Sequence, residues 1–151
     1  MEYRSSTVWL RLLHEPLPIA EAVSFLQVPE AGGLSLFLGT TRRWTDQRET
    51  LSLFYEAYEA MALGEMRRLA DEACRQWPVC RLCLWHRLDE VPVCEISVLV
   101  GVATPHRAEA FAACRFLIDT LKRQVPIWKR ETLSDGQNIW VEEGIPEAKR
   151  R

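Results

Sequence analysis

The chain has 151 residues and 17.5 kDa, with 48% hydrophobic and 26% charged residues, which excludes a disordered, collagen-like or disulfide-scaffolded chain and fits one domain over 1–151. A formal net charge of -2 leaves no global basic field to recruit nucleic acid. Only three of the 19 Lys+Arg are lysine (Lys122, Lys129, Lys149), so each lysine stands out against an arginine background.

Residues 7–14 (TVWLRLLH) read as a strand, and Ile19, Ala22, Val23 and Leu26 recur at helical spacing after Pro18, with Gly32-Gly33 ending that stretch. Period-2 patterning predicts strands at 34–41 and 51–58, joined by the polar segment RRWTDQRE, a loop candidate in which Trp44 could face a ligand or partner. A helix follows from Glu59 to Trp77, with Met61, Leu63, Met66, Leu69, Ala70 and Ala73 as its apolar face and Pro78 as its stop. Strands are expected at 79–87 and 94–104, the second apolar enough to be central in its sheet. Thr104 as N-cap and Pro105 at the first position then open a helix to about Arg123, with Phe111, Cys114, Ile118 and Leu121 on its inner face. The tail holds IWKRE, a turn at Ser134-Asp135-Gly136, a short NIWVEE strand and a charged end. Strands and helices intermix without βαβ repetition, which gives α+β with a mainly antiparallel sheet.

MEYRSSTVWLRLL has no continuous apolar core, and no run approaches the ~18 apolar residues of a membrane span, so a cytoplasmic protein with no membrane contact is expected. Its five cysteines then read as reduced. Cys80 and Cys83 match C-x-x-C, but on a strand that spacing sends the thiols to opposite faces, and no second pair completes a metal site. No metal and no cofactor are expected. His86, at a strand end, reads as a satisfied structural histidine.

The densest chemistry lies between His106 and Arg130, where six cations face two anions, so this segment carries +4 and the rest of the chain -6. At its start, His106 and Arg107 flank a helix N-terminus, whose unpaired N–H groups attract anions. At its end stand Lys122, Arg123, Lys129 and Arg130. Two accounts stay open from pattern alone: a site for a small anion, or a solvated cationic face complementing the helix dipole. Lysine leans toward chemistry, because it loses its proton when partly desolvated and arginine does not. Gly39-Thr40-Thr41-Arg42-Arg43 after a strand could also wrap a phosphate, without matching a phosphate-loop motif.

The segments FLGTTRR, YEAYEAMALGEM, HRAEAFAACRFLIDTLKRQVPIWKRE and DGQNIWVE together resemble the large, catalytic subunit family of molybdopterin synthase, over about residues 34–142. The resemblance implies an α/β hammerhead-type fold and a homodimer within a heterotetramer, with a small ubiquitin-like sulfur-carrier subunit ending in Gly-Gly at each end. It also implies the reaction: cyclic pyranopterin monophosphate receives two sulfurs from the carrier's thiocarboxylated C-terminal glycine, giving molybdopterin. Carried over, the family's active-site lysines fall on Lys122 and Lys129. Its substrate contacts fall on Thr40, Thr41, Arg42, His106, Arg107, Arg130 and Glu131, with the pocket completed across the dimer. The family's HR-x-G-x-L-x-x-G-E stretch reads here His86-Arg87-Leu88-Asp89-Glu90-Val91-Pro92-Val93-Cys94-Glu95, so Asp89 and Cys94 replace both glycines. The alternative is a non-catalytic phosphate-ligand or partner-binding module on the same fold.

Overall fold

The computed structural model describes residues 1–141. Its elements are β1 (Glu2–Arg4), β2 (Val8–Leu13), α1 (Ile19–Leu26), β3 (Gly33–Thr40), β4 (Trp44–Thr45), β5 (Arg48–Ala57), α2 (Glu59–Gln76), β6 (Arg81–Arg87), β7 (Asp89–Pro92), β8 (Ile96–Thr104), α3 (Arg107–Gln124), β9 (Ile127–Leu133) and β10 (Asn138–Trp140). Lys149, the charged end and the last part of the NIWVEE segment lie outside the described residues.

Two sheets form. The first has the order β1-β2-β6-β8-β3, antiparallel except for the parallel β2–β6 pair, and the second runs β10-β9-β5-β4 with β7 also pairing β5. Strand alternation splits the first sheet between two cores. Leu10, Leu12, Leu82 and Leu84 face α2 and α3, while Trp9, Cys83, Trp85 and Leu99 face α1. Each of those four leucines is 0% exposed, and such burial contributes about 1.5–3 kcal/mol per side chain. The inner face of the second sheet, with Leu53, Tyr55, Ala57 and Ile127, closes onto the α2/α3 core.

β8 is an interior strand paired on both sides, by β6 and β3, which suits its apolar run, although β6 holds the middle of the sheet; β3 is the edge strand among the described residues. Both long helices rotate slightly from their expected faces. Met61 is 61% and Phe111 62% exposed, because the buried stripes run through Ala62, Met66, Leu69, Ala70 and Ala73 in α2 and through Ala110, Ala113, Cys114, Leu117, Ile118 and Leu121 in α3. The small alanines carry the contact there, which a count of large apolar residues misses.

Four local expectations change. RRWTDQRE is a β4–β5 hairpin rather than a loop, turned at Asp46, whose φ of 56° a short polar side chain tolerates. The N-cap of α3 is His106, not Thr104, whose hydroxyl instead donates to the His106 carbonyl at 2.5 Å. Cys80 precedes β6 and packs on the same α1-side core as Cys83, so the two thiols do not part. Gly32 and Gly33 permit a close approach instead of stopping a helix: a Cβ on Gly32 would lie 2.6 Å from the Pro105 carbonyl oxygen, and one on Gly33 2.9 Å from the Arg107 Cα. The start of β3 thereby sits against the start of α3. Asp89 and Cys94 take φ of 67° and 74°, so both positions keep the left-handed backbone that the family's glycines supply.

Candidate active site

β3 and α3 set the dimensions of the site. From Gly33 to Thr40 the strand extends ~23 Å at 3.3 Å per residue. From Arg107 to Lys122 the helix extends ~22 Å at 1.5 Å per residue. Since α3 starts at Gly33 and β8 runs antiparallel to β3, His106 and Arg107 mark one end of the sheet and Thr40–Arg42 and Lys122 the other.

Lys129 and Glu131 belong to the second end. Lys129 lies opposite Tyr55 on β5, the hydroxyl of Tyr55 bonds to Ser97, and the Ser97 hydroxyl donates to the Gly39 carbonyl at 3.3 Å. A second chain of contacts runs parallel. The Thr41 hydroxyl donates to the Val91 carbonyl at 3.0 Å, Val91 pairs Leu53, and Leu53 pairs Glu131. Lys129, Glu131 and the turn after β3 therefore share a few strand spacings of one surface.

Glu131 is 3% exposed, and its carboxylate is held. The Thr50 hydroxyl donates to Oε1, and the Arg48 guanidinium lies 3.9 Å from Oε2. Arg48 and Thr50 escaped the sequence reading because their relevance is a matter of pairing between β5 and β9, which local sequence does not encode. Beneath the site, burial raises the Tyr55 phenol above its ordinary pKa against the opposing bond to Ser97. The His86 ring meets Tyr55 edge-on at 4.8 Å, and its Nδ1 donates to the Arg87 carbonyl at 2.7 Å, the structural role expected for it.

The expected residues do not all converge. Arg42, Thr40 and Lys122 are exposed, Lys129 is half-buried, and Thr41 is buried with its hydroxyl engaged. Arg130 leaves on the face opposite Lys129 and Glu131 and stacks over Phe54 at 4.8 Å. Alternation along IWKRETL signals this separation in the sequence itself. His106 and Arg107 are exposed at the far end, and the His106 side chain makes no capping bond. Among the described residues no group of three or more His, Cys, Asp or Glu is placed to hold a metal ion, and no helix is long and apolar enough to cross a membrane. What the arrangement offers is anion chemistry: exposed cations at both ends, and a lysine beside a fixed carboxylate at one.

The family model for MoaE protein matches residues 12–124. The chain belongs to the MoaE family. The molybdopterin synthase catalytic subunit of Pyrococcus abyssi is 40% identical over 128 residues, 85% of this chain and 86% of that protein. The crystal structure of molybdopterin synthase from Staphylococcus aureus superposes with a TM-score of 0.84 at 30% identity, covering 92% of this chain and 98% of that one. A chain from the complex of subunits 1 and 2 of the molybdopterin-converting factor of Helicobacter pylori has the same fold, with a TM-score of 0.75 at 22% identity over 91% of this chain and 92% of that one. As a MoaE-family member this is an enzyme subunit of molybdenum cofactor biosynthesis, as the resemblance implies.

Proposed function

We propose that the chain converts cyclic pyranopterin monophosphate to molybdopterin with sulfur from a carrier's thiocarboxylated C-terminal glycine, acting in the cytoplasm as one domain in a two-fold dimer whose copies complete each other's pocket. The observation that carries the dimer is the separation of the two half-sites by the length of β3. Among the described residues β3 is an edge of the first sheet, and its Leu34, Leu36, Phe37 and Leu38 are 37–39% exposed. An apolar edge of that kind invites pairing. Antiparallel pairing of two β3 strands about a two-fold axis brings His106 and Arg107 of one copy to Thr40, Arg42, Lys122 and Lys129 of the other.

In that pocket Arg42, His106 and Arg107 hold the substrate phosphate, with the first-turn amides of α3 adding partial positive charge. Thr40 presents backbone and hydroxyl from the turn. Lys122 and Lys129 stabilise the negative charge that develops as the carrier's thiocarboxylate sulfur bonds to a pterin side-chain carbon and displaces its oxygen substituent. They also move the protons needed to release that oxygen and to let water cleave the carrier's acyl–sulfur bond, freeing the glycine carboxylate. Glu131 fixes the electrostatics beside Lys129. One carrier at each end of the dimer makes the heterotetramer.

Mixing two inactive full-length variants tests the shared pocket. Lys122→Ala and His106→Ala each leave both sites of their own homodimers broken, whereas a mixed dimer regains one intact site. Random exchange restores about a quarter of the wild-type rate with thiocarboxylated carrier supplied. No recovery from dimers shown to be mixed overturns the cross-copy pocket.

A further inference from the structure

The outward face of the second sheet carries a second built feature. Glu56 pairs with Trp128, and Arg130 pairs with both Phe54 and Trp140, so these side chains share the face turned away from Lys129. Tyr58, just beyond β5, meets Trp128 edge-on at 5.2 Å and 86°. Glu56, Ala57, Tyr58, Trp128 and Trp140 line an open cavity of about 340 Å³. Tyr58 is 66% and Trp140 49% exposed, although rings of this size are usually covered.

The chemistry of the walls selects the occupant. Aromatic faces carry negative potential and attract cations. Glu56 adds a full negative charge and makes no ion pair among the described residues. The neighbouring cation, Arg130, is already stacked between Phe54 at 4.8 Å and Trp140 at 5.8 Å. A pterin phosphate, itself an anion, is repelled by such a cavity. A lysine or arginine side chain fits it.

The place of the cavity identifies whose side chain it is. Trp128 in the cavity wall and Lys129 in the pocket are consecutive residues whose side chains leave opposite faces of one strand. An extended tail of four residues spans ~13 Å, enough to pass from one face round the end of the sheet, where Ala57 pairs Ile127, to the other. We propose that the cavity receives a lysine or arginine side chain of the sulfur-carrier subunit, and that this contact aims the carrier's C-terminus at Lys129. The assignment rests on the carrier-dependent reaction proposed above.

Calorimetric titration of the full-length protein with the carrier, paired with steady-state rates, tests it. Glu56→Lys and Trp140→Leu each weaken carrier binding by about tenfold and raise the KM for carrier. The kcat at saturating carrier and the KM for the pterin phosphate stay unchanged, and Trp140→Phe retains most of the affinity. Wild-type carrier affinity in Glu56→Lys overturns the docking assignment while leaving the reaction standing. Failure of the wild-type protein itself to bind the carrier overturns the reaction and the docking together. The chain's own end is the competing cation: tighter carrier binding after Lys149→Glu, Arg150→Glu and Arg151→Glu combined puts that end in the cavity and overturns the assignment, and unchanged binding supports it.

Discussion

β9 presents two unlike faces from one run of residues. Lys129 and Glu131 turn inward, beside Tyr55 and under the Arg48–Thr50 end of β5, where a charge is partly desolvated and its neighbours are fixed. Trp128 and Arg130 turn outward among Phe54, Tyr58 and Trp140, where the same kinds of charge are spread over rings and water. The contrast teaches that neither cation content nor sequence adjacency defines this site. The inner positions can act on a bound anion because their surroundings hold them in place, and the outer ones are suited to recognition.

The largest expected break in that contrast is a matched pair of substitutions. Lys129→Ala lowers the molybdopterin-forming rate by about 100-fold or more, the scale of a lost proton-transfer or charge-stabilising group, while Arg130→Ala changes kcat by less than tenfold. Equal losses measured in the carrier-dependent assay would erase the distinction between the faces.

A smaller effect reads the inner face through stability. Thr50→Val removes the hydroxyl that donates to the buried Glu131 carboxylate, and leaving such a group short of a partner costs about 1–3 kcal/mol. Denaturant unfolding measures it, and Thr50→Ser restores most of the loss. A Thr50→Val protein as stable as the wild type shows that Arg48 alone satisfies the carboxylate.

The smallest effect is pH-dependent and lies away from both faces. His14 Nδ1 meets Asp89 at 2.7 Å and Nε2 meets Glu59 at 3.3 Å, tying the end of β2 to the left-handed Asp89 and to the first turn of α2. The Asp89 bond raises the His14 pKa above its ordinary value, with Glu59 adding to the shift and burial opposing it. A histidine whose folded pKa is raised stabilises the fold fully below its unfolded pKa, and that stability is lost as pH rises through the folded value. Thermal unfolding of His14→Gln therefore falls furthest below wild type at pH values under the ordinary histidine pKa of about 6.5 and converges with it as pH rises past the raised folded value. A gap that widened with pH would show that the contact stabilises without a proton.

Much of this molecule was legible before its structure. The 2- and 3.6-residue periods located β2, β3, β5, β8, α2 and α3, and prolines marked helix ends at Pro78 and Pro126. The scarcity of lysine singled out Lys122 and Lys129, and the family motifs supplied their context. What escaped was decided across strands. The alanine-lined faces of α2 and α3 set the outward turn of Met61 and Phe111, and β9 pairing brought Thr50 to Glu131.

The sequence by itself determined the longer elements and the family, because hydrophobic period and motif spacing are local properties of the chain. Only the tertiary structure decided how the site residues divide. β3 and α3 are rigid elements of nearly equal length lying side by side, so they hold His106 and Arg107 a full strand away from Lys122 and Arg42. Spacing along α3 already gives the ~22 Å from Arg107 to Lys122, but it does not record that β3 lies alongside in the same direction and so carries Arg42 to the Lys122 end, because that placement comes from long-range pairing after the chain turns back at Pro105.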